Sequence, residues 1–423
     1  MMWKVVKRSQ LTIIRVTVSV AVLFLAIVFT SMAHGSVTNS AASYSFSAAD
    51  NIGTVIARIR VGRNPAGIAY NPFNGYIYVV NSRSDTVSVI DPSTNTVVAT
   101  IPVGRGPLEI AYNPSNGYLY VTNCGSNTVS VIDPRINKVV ANITVEKCPT
   151  GITYNPFNGY IYVANSGSDT VSVIDPSTNT VVATIPVGRV PLGIACNPSN
   201  GYIYVANYWS NTVSVIDPRI NKVVANIEVN MPKEIAYNPS NGYLYVTHLG
   251  DHPTSMGYVS AIDPNTNKIV AKIYVDFYPS GIAYNPSNGY LYVAVGGVSV
   301  IRVIDPNINV VVGTIYLGDT PHRIVYNPSN GYLYVTTGAD NVVVIYSKPS
   351  SSTSSSPARS STSVVSTTPL SSSTTTVTTT TSTTAVSMSS SVWQPLPYLA
   401  AYVAVAVIVV IVAVAILLIR RRK

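Results

Sequence analysis

From residue 54 to residue 347 the chain runs as short apolar or alternating segments separated by polar turns. One unit shows the pattern. GIAY at 67–70 is a short apolar segment, and Asn-Pro-Phe-Asn-Gly follows at 71–75. Pro presets one turn residue and Asn-Gly readily takes positive φ, so a tight hairpin loop is expected there. YIYVV at 76–80 is aromatic and β-branched throughout, which favours a strand. A polar turn at 81–85 leads to a third strand, TVSVI at 86–90. Asp91 and Pro92 open a second turn, and TVVATIPV at 96–103 is a fourth strand. The unit is predicted to be an antiparallel meander of four short strands.

The unit recurs. Its turn proline stands at Pro72, Pro114, Pro156, Pro198, Pro239, Pro286 and Pro328, at spacings of 42, 42, 42, 41, 47 and 42 residues. A fixed period of about 40–45 residues made of short strands is that of a propeller blade. The strands differ in ways that order them from axis to rim. The first is rich in small residues such as Gly67 and Ala69, which suits a crowded axis. The second carries no charge in any repeat, so both its faces are expected to be buried. The fourth carries Arg58, Arg60, Lys138, Lys222, Lys268 and Lys272 and tolerates Pro102 and Pro186, the marks of a guarded sheet edge. TVIARIRV at 54–61 matches a fourth strand with no first three before it, while the seventh unit ends at 341–347 without a fourth. The predicted fold is all-β: a seven-bladed β-propeller over 54–347, closed by a 3+1 strand exchange that leaves no open edge.

Outside the ring the pattern changes. Residues 1–15 carry Lys4, Lys7, Arg8 and Arg15, 16–29 are apolar, and 31–35 supply small residues. These are the three parts of a signal peptide, expected over 1–35, with an uncleaved anchor as the other reading. A leader, 36–53, precedes the ring. Ser and Thr dominate 348–397, which cannot bury enough surface to fold and reads as an O-glycosylated stalk or a plain linker. Residues 399–419 are 21 consecutive apolar positions. At ~1.5 Å per residue they cross a ~30 Å hydrocarbon core, so a C-terminal transmembrane helix is expected over 398–419. Trp393 and Tyr398 fit an interfacial belt, and the basic tail 420–423 is expected in the cytoplasm, with the propeller outside.

The net charge of +9 adds little about partners, because four of the 26 Lys and Arg precede Ser36 and four follow Ile419. That leaves 18 against 17 acidic residues, so nucleic-acid binding has no support. Of three cysteines, Cys124 and Cys148 fall in connections on one predicted face, where a disulfide is plausible. Cys196 replaces an inner-strand tyrosine and is expected to be a buried thiol. Asn142 begins the one N-glycosylation sequon, on a rim strand.

The second strands end in YVVN, YVTN, YVAN and YVAN in the first four units, then in YVTH, YVAV and YVTT. With NPxNGYxYV and TVSVIDPxTN, these motifs resemble the YVTN β-propeller repeat family of archaeal surface-layer and related cell-surface proteins. The resemblance covers 54–347. It implies an extracellular seven-bladed propeller that serves interactions, and it carries no catalytic residues onto this chain. The stalk and C-terminal span are also similar to those of archaeal envelope proteins.

A feature present in every blade is explained by the blade. Asp91, Asp133, Asp175, Asp217, Asp263 and Asp305 all precede Pro and are expected to be turn residues rather than a metal crown. Chemistry is therefore sought where the repeats depart from one another. The largest departure is HLGDHPTSMGY at 248–258, five residues longer than its counterpart in blade four. His248, Asp251 and His252 are metal-ligand types, and His322 enters blade seven on the same predicted face. Blades five and seven are not adjacent and the spacing matches no metal motif, so no metal or cofactor is assigned. Tyr208 and Trp209 fill the equivalent turn of blade four, suited to protein or sugar contact or to packing on the insertion. Arg63, Arg105 and Arg189 recur in loops entering blades, either for acidic glycans or simply solvated. The candidate binding set is Tyr208, Trp209, His248, Asp251, His252, His322, Arg105 and Arg189. The inner strands offer Glu109, Lys233, Glu234 and Arg323, a thin basis for a hydrolase similar to the propeller lactonases. The expected function is a non-catalytic, membrane-anchored cell-surface propeller that binds protein or glycan. The alternatives are a lactonase-like hydrolase and a lattice spacer without ligand.

Overall fold

Each blade is built from its Asn-Pro-x-Asn-Gly turn. In blade one Asn71 Oδ1 accepts from the Phe73 N–H at 2.9 Å, and Gly75 N–H donates to Asn71 O at 2.8 Å. Gly75 sits at φ 77°, where a side chain would be strained. Asn74 Oδ1 accepts from Tyr76 N–H at 3.1 Å, and its Nδ2 donates to Tyr78 Oη at 2.9 Å. The two asparagine carbonyls thus hold the turn, and the second asparagine also tethers the tyrosine that follows. Blades two and seven repeat the geometry at Asn113 and Asn116 and at Asn327 and Asn330.

The computed structural model describes residues 52–250 and 256–347. In blade one the turn joins Pro65–Tyr70 to Ile77–Asn81, and Thr86–Asp91 and Thr96–Pro102 complete an antiparallel sheet of four strands. There are seven such sheets among the described residues. In the last, Pro321–Asn327, Tyr332–Thr337 and Asn341–Tyr346 are joined by Thr54–Arg60, which pairs antiparallel with Asn341–Tyr346. Neighbouring first strands touch around the whole circle, that of blade seven meeting that of blade one. The fold is an all-β, seven-bladed propeller.

The core lies between blades. In blades one to five the second strand is buried at every position, as at Ile77–Asn81 and Leu119–Asn123, while outer strands alternate outward and inward. Tyr78, Val80, Val87 and Val89 of blade one pack against Ile110, Leu119, Val121 and Ile132 of blade two. Burying each such side chain contributes about 1.5–3 kcal/mol. The second-strand tyrosines, Tyr78 to Tyr334, are the largest fully buried side chains. Tyr162 Oη accepts from Asn158 at 2.9 Å and donates to Asn221 Oδ1 at 3.2 Å in the next blade's outer turn. In that type of turn Asp91 Oδ1 accepts from Ser93 N–H at 2.8 Å, and the Ser93 bonds hold the carboxyl below its usual range.

The expected signal peptide 1–35, most of the leader 36–53, the stalk 348–397, the span 398–419 and the tail 420–423 lie outside the described residues. Among the described residues no helix is long and apolar enough to cross a membrane.

The tyrosine contacts give a paired prediction. Tyr162→Phe breaks two hydrogen bonds and should destabilise the ring by about 1 kcal/mol in urea denaturation. Tyr204→Phe removes a hydroxyl that makes no bond to the next blade's outer turn, and it should cost less. Equal losses in the two variants would contradict the tyrosine's role as a bond between blades.

Candidate functional site

The first strands bring one equivalent position per blade to the axis: Gly67, Glu109, Gly151, Gly193, Glu234, Gly281 and Arg323. Space there is short. A Cβ on Gly193 would lie 2.8 Å from Glu234 Cα, and one on Gly281 would lie 2.8 Å from Arg323 Cα. Where a charged residue replaces glycine, the second strand carries threonine beside it. Thr122 Oγ1 accepts from Glu109 N–H at 3.0 Å and donates to Thr150 O of blade three at 2.7 Å. Thr247 serves Glu234 and Ser280 in the same way, and Thr336 serves Arg323 and Ala66. In the four glycine blades that place is taken by Val80, Ala164, Ala206 and Ala294. In the sequence Glu109, Glu234 and Arg323 stand out as inner-strand charges, and their pairing with threonine is the signal that they meet.

The three charges meet. Arg323 Nε hydrogen-bonds Glu109 Oε1, and its Nη2 lies 2.6 Å from Glu234 Oε2 as an ion pair rather than an aligned hydrogen bond. The side chains of Arg323, Glu109 and Glu234 are 22%, 17% and 16% exposed, so solvent reaches them through the channel. Burial raises the Glu109 carboxyl to about 7, against the pull of Arg323 and with added repulsion from Glu234. Burial works against the Arg323 charge too, but the two carboxylates outweigh it and hold the guanidinium firmly protonated. Lys233, next to Glu234, is pushed down to about 8 by burial and by Arg323. A cavity of about 240 Å³ opens above this cluster, lined by Lys233, His322 and Arg323 and by Ala66, Leu108 and Leu192.

The second candidate area is the face where connections enter blades. Trp209 N–H donates to Arg189 O at 3.1 Å and Tyr208 N–H to Val190 O at 3.0 Å, so the blade-four turn is clipped to the loop entering that blade. The exposed Arg189 guanidinium sits 5.5 Å above the Trp209 ring, which is 61% exposed, and Tyr208 is half-buried. Arg105 is exposed in the corresponding loop of blade two, where Gly125 N–H bonds its carbonyl. A disulfide joins Cys124 to Cys148, and the free Cys196 thiol, half-buried rather than buried as expected, is pushed up by desolvation to about 12. Asn142 is exposed on its outer strand, with Oδ1 accepting from Ser130 Oγ at 2.8 Å.

The histidines differ from the expected cluster. His248 is fully buried because it takes the place of Asn81, Asn123, Asn165 and Asn207, the buried last residues of the earlier second strands. Its Nδ1 lies 2.6 Å from Asn230 O, its ring stacks on Tyr258 at 4.3 Å, and burial lowers its pKa to about 4. It is therefore a neutral core side chain, closed to a surface partner. His322 lines the channel, one residue inside its strand, with Nδ1 3.0 Å from Pro65 O. Burial, and then Lys233 and Arg323, lower its pKa below the ordinary value. Asp251 and His252 lie outside the described residues. Among the described residues no three His, Cys, Asp or Glu side chains are placed to hold a metal.

Glu109 generates a pH prediction. A free glutamate titrates near ~4.3 and folded Glu109 near 7, so in that window the folded state binds more protons. Stability should fall as pH rises through the window, with no Glu109 penalty below it and the full penalty above it. Arg323, Glu234, Lys233 and His322 face the same site, and Glu109→Gln alters the field on each of them, so the difference reports the coupled cluster with Glu109 as its main titrating member. The stability of the wild type minus that of the variant should therefore fall between about pH 4 and pH 7 in urea denaturation. A flat difference would show that Glu109 titrates normally.

Comparison with known proteins bears on the fold. The YNCE-like beta-propeller family matches residues 63–158 and 152–248. No curated protein matches the chain. Among solved structures it is similar to Kuenenia stuttgartiensis hydrazine synthase, with a TM-score of 0.62 and 22% identity over 68% of this chain and 98% of that one. It is also similar to a streptogramin B lyase, with a TM-score of 0.59 and 16% identity over 70% of this chain and 98% of that one. At such identities the likeness is one of fold. The family match and the seven-bladed ring together support a single statement of identity: the chain is a β-propeller repeat protein.

Proposed function

We propose that the chain is a non-catalytic cell-surface propeller, anchored by 398–419, that binds protein or glycan of the envelope through the face of blade-entering loops. The observation that carries this reading is the stack of Arg189 on the exposed Trp209 ring. A solvent-facing indole with a cation over it offers a large apolar surface and a directed charge, the combination that dominates hot spots. Arg105 and the half-buried Tyr208 extend the same face. The disulfide of Cys124 and Cys148 favours an oxidising compartment, in keeping with the signal peptide and stalk expected from the sequence. The exposed Asn142 is open to glycosylation there. We read the pairing of Thr54–Arg60 with Asn341–Tyr346 as a 3+1 closure, which ties down both ends of a domain held outside the cell. The kinship with archaeal surface-layer proteins is part of the same reading. A lactonase-like hydrolase is the second reading, favoured by Glu109 titrating near neutrality in a solvent-reached channel.

Proteoliposomes carrying the full-length chain should bind solubilised envelope material saturably in flotation assays. Trp209→Ala and Arg189→Ala should each weaken binding by about tenfold, the scale of a hot-spot truncation. Saturable binding untouched by both substitutions would remove this face from the proposal. No saturable binding at all would overturn the binding reading and favour a spacer.

A further inference from the structure

We propose that the mouth of the central channel binds a small monocarboxylate with a short aliphatic tail, its charge held by Lys233 and its tail by Ala66, Leu108 and Leu192. The site lies at the axis on the same face as Arg189 and Trp209 but uses neither residue, so it stands or falls independently of them.

Three observations carry the assignment. First, the cavity of about 240 Å³ falls below the ~300–1,000 Å³ that suits drug-sized ligands, so its occupant is a small molecule. Second, one charged group on its floor has no carboxylate in contact, although the four charges together cancel when both carboxylates are ionised. Both Glu109 and Glu234 are engaged by Arg323, whereas Lys233 lines the same cavity and takes part in none of the ion pairs among the described residues. A half-buried ammonium whose counter-charge is not in contact with it is still costly, and an anion seated on it relieves that cost. Third, the remaining polar groups limit the ligand to one negative charge. Thr150 Oγ1 donates to Pro191 O at 3.0 Å and Ser280 Oγ to His322 O at 3.0 Å, so both hydroxyl protons are spent on backbone. His322 Nδ1 faces the Pro65 carbonyl, which can only accept, so its neutral ring keeps Nε2 as an acceptor. The second charge of a phosphate would find no second cation out of contact with a carboxylate, and a cation would meet Lys233. The apolar wall lies across blades one, two and four, with Leu192 in the blade beside Lys233. An occupant with one charged end and one greasy end fits that division. The Glu109 proton, held to about 7, keeps the site between neutral and positive near neutrality, which also suits one carboxylate.

The test is isothermal titration of the full-length chain with butyrate as probe, and with acetate, butylamine and inorganic phosphate for comparison. Butyrate should bind saturably. Acetate should bind about fifteenfold more weakly, since each buried methylene is worth about fourfold. Lys233→Met should weaken butyrate at least tenfold while Lys233→Arg keeps measurable binding. Leu192→Ser, which leaves the cation in place, should bring butyrate down towards acetate, and it decides the matter if Lys233→Met fails to fold. Absence of saturable butyrate binding would overturn the proposal. So would binding indifferent to both Lys233→Met and Leu192→Ser, or equal binding of butylamine or phosphate.

Discussion

A Cβ on Gly151 would lie 2.3 Å from the Leu192 carbonyl, and one on Gly67 would lie 2.7 Å from Glu109 Cα. Seven first strands converge on the axis with that little room, and glycine at four of them is the consequence. The other three positions admit side chains, and those side chains are Glu109, Glu234 and Arg323. A threonine hydroxyl under each accepts from the backbone N–H and donates to a backbone carbonyl of the next blade. The crowding that closes the ring therefore also decides how much chemistry the channel can hold: one guanidinium, two carboxylates, and a cavity above them where Lys233 and His322 look on.

The repeat motifs are explained by the same economy. Asn81 ends its second strand fully buried, with Nδ2 donating to Thr86 Oγ1 at 3.1 Å and Ser88 Oγ at 3.0 Å. Gly62 passes directly over it, where a Cβ would meet Asn81 Cγ at 2.6 Å. Gly104 over Asn123 and Gly188 over Asn207 repeat that contact. The last letter of YVTN is thus a buried polar post beneath the loop that enters the blade. What varies above that post is free to serve a partner, and blade four places Trp209 there.

How much of this was legible follows from sequence distance. The hairpin turns, the buried tyrosines and the Asp turns rest on bonds two to four residues apart, so the repeat announces them. The blade count follows from period alone. The channel cluster does not, because Glu109 and Arg323 are 214 residues apart and meet only when the circle closes. The covariation of inner charge with Thr122, Thr247 and Thr336 was present in the letters but acquires meaning only once neighbouring blades are seen to share those hydroxyls. His248 looked like a loop ligand because the insertion begins at it, yet register makes it the heir of a buried asparagine. His322 was expected where the chain enters blade seven, and one step inside the strand it lines the channel.

The most direct measurement is hydrogen–deuterium exchange of the full-length chain in proteoliposomes, with and without bound envelope material. Protection confined to peptides spanning the blade-entering loops and second-to-third-strand turns around 187–211 would match a partner seated over Arg189 and Trp209. Protection on the opposite face, in the Asn-Pro-x-Asn-Gly turns, or none anywhere in the ring, would contradict it.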